Sequence, residues 1–184
     1  MTFNKLTLFT VVLILTFMLI SCGDSAEKSN DARPVSTSSS LNDEQISAIE
    51  NAVFFDFEGN EVPLSNFRGK TVLIDFWETW CAPCIASMPT LDRLMQDFPE
   101  DFVVIATSPL WTDSKDDVRR FKSNNDYSFY FVHANELATK LSIRGIPYKV
   151  YVAPDGTFYK DESGSRGADQ DYRAISEVIK KLRG

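Results

Sequence analysis

The stretch Thr71-Val72-Leu73-Ile74-Asp75-Phe76-Trp77-Glu78-Thr79-Trp80-Cys81-Ala82-Pro83-Cys84 decides how the rest of the chain is read. Its first six residues form a near-continuous apolar run, as in a strand buried on both faces. A helix is expected from about Cys81 to Asp97, and Pro89 inside it predicts a kink. Two thiols two residues apart, where strand hands over to helix, form a redox arrangement. A helix N-terminus carries about half a positive charge and free N–H groups, so it favours a thiolate. Cys81 occupies that position and is expected to be exposed, with Cys84 shielded. Cys84, one turn inside, can attack a mixed disulfide formed by Cys81. Such a pair performs thiol–disulfide exchange.

Three other uses of the pair compete with exchange. A zinc ribbon needs four ligands, whereas the chain has 3 Cys and 1 His. A structural disulfide suits an oxidising compartment, but one closing a two-residue loop constrains the unfolded chain little. A peroxidatic site uses one activated thiol after a Pro/Thr-rich loop, and here the two cysteines are immediate neighbours on one turn. The lone His133 makes no metal site and reads as structural, and no cofactor is implied.

The N-terminus bears on the compartment. Lys5 precedes the apolar run Leu6 to Ile20, and small residues follow in Ser21-Cys22-Gly23. A positive start, an apolar core and small residues at the break read as an export signal over residues 1–21. The run is shorter than the roughly 20 residues of a spanning helix. Leu19-Ile20-Ser21-Cys22 resembles the bacterial lipobox, which implies lipidation of Cys22; the competing reading is an uncleaved short anchor. Residues 22–41 read as a lipidated, flexible linker, rich in Ser and Asp and nearly devoid of apolar residues. Such a segment buries too little surface to offset its ordering entropy.

Residues 42–184 suit one domain. The chain carries a net charge of −7. Residues 1–21 hold one cation, Lys5, and no acid, so without them the charge becomes −8. An acidic domain makes nucleic acid and anionic lipid surfaces poor partners. Asn42 or Asp43 caps a short helix through Glu50. Val53–Phe57 and Glu61–Leu64 flank Glu58-Gly59-Asn60 as a hairpin. Further strands are expected at Phe102–Thr107 and Tyr127–Val132, with an antiparallel pair at Lys149–Val152 and Thr157–Lys160. Helices are expected at Ser114–Asn125 and Ala134–Leu141, and from about Gln170 with the stripe Tyr172, Ile175, Val178, Ile179, Leu182. Alternating strands and helices imply an α/β fold with a central sheet covered on both faces.

Residues 53–182 resemble the thioredoxin superfamily, and within it the TlpA/ResA-like membrane-tethered disulfide reductases. Asp75 to Cys84 matches that family's active-site segment, Pro89 its kink proline, and Arg144-Gly145-Ile146-Pro147 the segment bearing its cis-proline. Phe55 to Gly59 and Leu64 to Lys70 resemble the leader hairpin, and Ser108 to Val132 fits a helix-and-strand insertion. The resemblance implies a thioredoxin-like fold with a central mixed sheet, an N-terminal β-hairpin and that insertion.

Roles carried over by the resemblance are specific. Cys81 is the nucleophile and Cys84 the resolving thiol. Asp75, whose carboxyl pKa burial would raise, accepts the Cys84 proton. Trp80, Ile146 and Pro147 contact substrate, a cis bond before Pro147 leaving the backbone of Ile146 free to pair with it. There are departures as well. Cytochrome-maturation members often carry an acid where Ser87 stands, which weakens a role in cytochrome c maturation. Tyr148 replaces a threonine and either packs in the core or lines the groove. Glu78 stands where a small residue is common and is expected to be exposed, whereas Trp111 is expected to make a satellite core contact.

The expected function is a thiol–disulfide oxidoreductase that reduces protein disulfides from the cell envelope. It would be lipid-anchored in a membrane, monomeric, facing the periplasm or exterior, and recharged by a membrane electron donor. The alternatives are a copper-binding module using both thiols with His133, and a thiol peroxidase.

Overall fold

The computed structural model describes residues 41–183, and the expected signal peptide, the lipidation site Cys22 and the linker up to residue 40 lie outside them. Among the described residues no helix is long and apolar enough to cross a membrane.

The elements run α1 (Asp43–Glu50), β1 (Val53–Phe55), β2 (Glu61–Pro63), a 3-10 helix (Leu64–Phe67), β3 (Thr71–Phe76), α2 (Ala82–Asp97) and β4 (Phe102–Ser108). They continue with α3 (Lys115–Asn124), β5 (Tyr130–His133), α4 (Asn135–Lys140), β6 (Tyr148–Val152), β7 (Phe158–Ser163) and α5 (Ala168–Leu182). The sheet order is β2-β1-β5-β4-β3-β6-β7. Strands β3, β4 and β5 are parallel, and β6, β7 and the β1–β2 hairpin join antiparallel. This is the thioredoxin-like α/β architecture expected from the sequence.

Strand alternation sorts β3 between two cores. Val72, Ile74 and Phe76 face one core with Ile49 of α1 and Leu137 of α4. Leu73 faces the other with Trp77, both cysteines, Leu91 of α2 and Ile175 of α5. Asp75 has the parity of Leu73, so its carboxyl is directed into the core that holds the cysteines.

Capping fixes the helix starts. Asn42 caps α1 and Ser114 caps α3, each as a capping box. The helix α2 runs on through Pro89.

Several strand bounds differ from expectation, β7 among them, which runs on to Ser163 instead of ending at Lys160. The hairpin strands are shorter because Asp56 turns the chain early. Its carboxylate accepts the N–H groups of Glu58 (3.0 Å) and Asn60 (2.7 Å). The strand expected from Tyr127 starts only at Tyr130, where pairing to Ile105 begins. Before it the rings of Tyr127 and Phe129 stack at 5.1 Å, and the Ser128 N–H donates to Asp92 at 3.0 Å.

Candidate functional site

The site forms where β3 ends and α2 begins. Cys81 is the N-cap of α2, and its Sγ accepts the backbone N–H of Cys84 at 3.3 Å. The two sulfurs are joined as a disulfide. The N–H on Cys81 Sγ is a free donor of the first helical turn, the group that stabilises a thiolate there once the bond is reduced. The expectation that Cys81 is exposed is corrected. It is 2% exposed, because both cysteines pack in the core cluster with Trp77, Met88 and Leu91. Trp80, immediately before Cys81, is 58% exposed.

Behind the cysteines, Asp75 is 0% exposed and raised in pKa. Burial is the main cause, and the nearby Asp171 adds to it. Opposing them is Lys149, a buried ammonium with Nζ 3.4 Å from Asp75 Oδ1. The two residues are register partners across β3 and β6. The contact is an ion pair without hydrogen-bond geometry, and both carboxylate oxygens lack a hydrogen-bond donor among the described residues. Lys149 Nζ is shared with the carbonyl of Gly164 at 3.3 Å. The sequence reading did not single out Lys149, although one cation in an otherwise apolar strand, like one acid in another, was the available signal.

The Ile146–Pro147 bond is cis, as expected. Phe76 pairs with Tyr148, so Pro147 stands beside the end of β3. Among the described residues neither the N–H nor the carbonyl of Ile146 makes a backbone hydrogen bond. An open groove beside Pro147 is lined by Leu141, Arg144, Ile146, Tyr148 and Ser163. Tyr148 serves both expected uses. Its ring meets Phe76 edge-on, and its hydroxyl donates to Asp161 at 2.6 Å.

Glu78 corrects its expectation most fully. It is 0% exposed. Its Oε1 accepts the N–H groups of Trp111 (2.5 Å) and Thr112 (3.2 Å). Its Oε2 accepts the Trp80 indole N–H (2.7 Å) and the Thr112 hydroxyl (2.8 Å). Four donors repay the desolvation of the charge, which is why a carboxylate can be buried in this loop. Asp113 repeats the pattern, accepting from the Thr79 N–H (2.6 Å) and hydroxyl (2.8 Å). Trp111 does not join the core as expected. It is 42% exposed, because the preceding Leu110 packs on the core in its place. Apart from Trp80, these partners lie more than thirty residues apart in sequence, and no local pattern reveals them.

His133 stacks on Phe55 with centroids 5.8 Å apart, and its Nε2 is buried without a hydrogen-bond partner among the described residues. Among those residues no three His, Cys, Asp or Glu side chains are grouped to hold a metal ion. A larger cavity, between Asp56, Phe67, Met95 and Tyr130, contains none of these site residues.

Comparison with known proteins places this geometry in context. The sequence model of the AhpC/TSA family matches residues 44–159. The thiol-disulfide oxidoreductase ResA of Bacillus anthracis is 30% identical over 137 residues, covering 72% of this chain and 75% of that protein. ResA of Halalkalibacterium halodurans is likewise 30% identical, over 136 residues, covering 71% and 74%. Among solved structures, the pneumococcal exposed lipoprotein thioredoxin Etrx1 of Streptococcus pneumoniae superposes with a TM-score of 0.61. It shares 24% identity, over 72% of this chain and 99% of that one. A thiol:disulfide interchange protein from a Bacteroides species gives 0.57 at 26% identity, over 70% and 85%.

Proposed function

Because the chain belongs to the AhpC/TSA family, and to the TlpA/ResA-like thiol–disulfide oxidoreductases of the thioredoxin superfamily, we propose that it is a reductase of protein disulfides working outside the cytoplasm. The observation that carries the reading is Cys81 at the N-terminus of α2, with the Cys84 N–H on its sulfur and the buried Asp75 behind the pair.

In the reduced protein the Cys81 thiolate attacks one sulfur of a substrate disulfide. The substrate S–S bond breaks, a mixed disulfide to Cys81 forms, and the displaced substrate thiolate takes a proton. Cys84 then gives its proton to Asp75 and attacks the Cys81 sulfur, displacing the second substrate thiolate. Two electrons pass to the substrate, and the protein is left as the Cys81–Cys84 disulfide. Trp80, Ile146 and Pro147 border the place where the substrate chain lies.

The direction follows from what stabilises the thiolate. Ala82 and Pro83 supply neither a cation nor a side-chain donor, and the helix terminus contributes about 0.3–2 kcal/mol. The disulfide is therefore relatively favoured and the dithiol reducing, with a potential nearer about −270 mV than about −120 mV. A membrane protein carrying reducing equivalents across the bilayer then returns the dithiol. Cys22, lipidated after removal of residues 1–21, tethers the domain through residues 23–41. One acyl chain binds a membrane marginally and more than one binds stably.

A trap tests the reading. Reduced Cys84→Ser protein mixed with insulin accumulates a covalent complex through Cys81, and Cys81→Ser protein forms none and reduces no insulin. A complex formed through Cys84 in the Cys81→Ser variant contradicts the division of roles.

A further inference from the structure

Resting on that reading, we infer that Glu78 is a positioning residue that holds Trp80 and Trp111 as one aromatic rim beside the cysteines. The rim takes an apolar side chain next to the disulfide of an extended protein substrate. Each carboxylate oxygen of Glu78 reaches one tryptophan. Oε2 holds the indole N–H of Trp80 at 2.7 Å, and Oε1 holds the backbone N–H of Trp111 at 2.5 Å. Asp113 ties the same two segments together through Thr79. Two carboxylates thus join the loop before Cys81 to the loop after β4, and the joined loops end in two indoles turned toward solvent.

A brace that served only stability would have no need of that ending. Burying Trp111 is the cheaper arrangement for a large apolar ring. Instead Leu110 packs inward with a left-handed backbone, φ 53°, and Trp111 is turned out. A leucine in that region is a strained conformation, of the kind that persists where the surroundings enforce it and that clusters at binding sites. The rim is also fixed relative to the reacting sulfur. The Cys81 N–H donates to the Glu78 carbonyl at 3.0 Å, so one residue holds both the nucleophile's backbone and the Trp80 ring. Exposed, rigid aromatic rings are the usual anchors of protein recognition. The charge of Glu78 is already met by four donors and offers nothing to a basic group, which leaves apolar contact as the chemistry of the rim.

Two synthetic disulfide peptides that differ only in Phe or Ser beside the reactive cysteine test this, in single turnover with the reduced full-length protein. The wild type prefers the Phe peptide at least about fivefold in kcat/KM, through KM, as loss of one aromatic anchor implies. Trp111→Ala abolishes the preference, and Tyr130→Ser, an exposed aromatic elsewhere, keeps it. Glu78→Gln also reduces the preference, because its amide keeps one acceptor oxygen where the two tryptophan N–H groups need two. In a Trp80→Phe background, which lacks the indole N–H, Glu78→Gln loses no more. A preference that survives in Trp111→Ala, or an equal loss in both backgrounds, overturns the inference while the exchange reading stands. A wild type that reduces neither peptide overturns both.

Discussion

Asp75 and Glu78 are three residues apart, both carboxylates, both fully buried, and opposite in their surroundings. Glu78 is saturated, with four N–H and O–H donors from two loops. Asp75 is starved, with no hydrogen-bond donor among the described residues and only the ammonium of Lys149 at 3.4 Å. The protein has built a full solvation shell for one anion and left the other poorly solvated. A saturated carboxylate holds structure, because its bonds tie two loops together. A starved one exchanges protons, because its charged and neutral forms are closer in energy.

If the contrast is right, the two acids respond oppositely to removal. The largest effect is on stability at Glu78. Glu78→Ala leaves the Trp111 and Thr112 donors without partners, and urea unfolding should show a loss of about 2–4 kcal/mol. A loss below about 0.5 kcal/mol, the range of ordinary surface changes, would break the contrast. Next is Lys149→Met, which removes the group opposing the rise in Asp75's pKa. The carboxyl should then hold its proton to higher pH, and the rate at which Cys84 resolves a mixed disulfide should move to more alkaline pH. An unmoved profile would mean the ion pair is idle.

The smallest effect is on the pH dependence of stability. Asp75's pKa is raised from 3.8, so the folded state binds its proton more tightly than the unfolded state does. The contribution of Asp75 to stability is therefore fully present below pH 3.8 and is lost as pH rises through the folded pKa, by about 1.4 kcal/mol for each tenfold difference in proton affinity. Asp75→Asn lacks that loss, so the variant should gain on the wild type between acid and neutral pH. Parallel stability curves would contradict a starved carboxylate.

Most of the frame was legible because periodicity carried it. Thr71–Phe76 and Ala82–Asp97 follow from an apolar run and from two cysteines beside a proline. The exchange pair was legible from its spacing together with its place where a buried strand hands over to a helix. What escaped was pairing across long sequence separations. Nothing around Glu78 announces that Trp111 and Thr112 come to meet it, so a buried, fully bonded acid read as a surface one. Lys149 does stand out as a lone cation in an apolar strand, but only the β3–β6 register sets it opposite Asp75. Cys81 is less exposed than a helix N-terminus suggests, because here the disulfide itself fills the core beside Trp77. A starved acid and a saturated one look alike in sequence, and only their neighbours tell them apart.

The central claim is that Asp75 takes the proton of Cys84. Its most direct test is the pH dependence of resolution, measured by rapid quench on a preformed Cys81 mixed disulfide in wild type and Asp75→Asn. The wild-type rate should rise with ionisation of a group above the ordinary carboxylate range. The variant should lose that limb and be slower by about a hundredfold at neutral pH, the lower range of general-base contributions, while formation of the mixed disulfide changes far less. Equal slowing of both steps, or an unaltered profile in Asp75→Asn, would contradict the account.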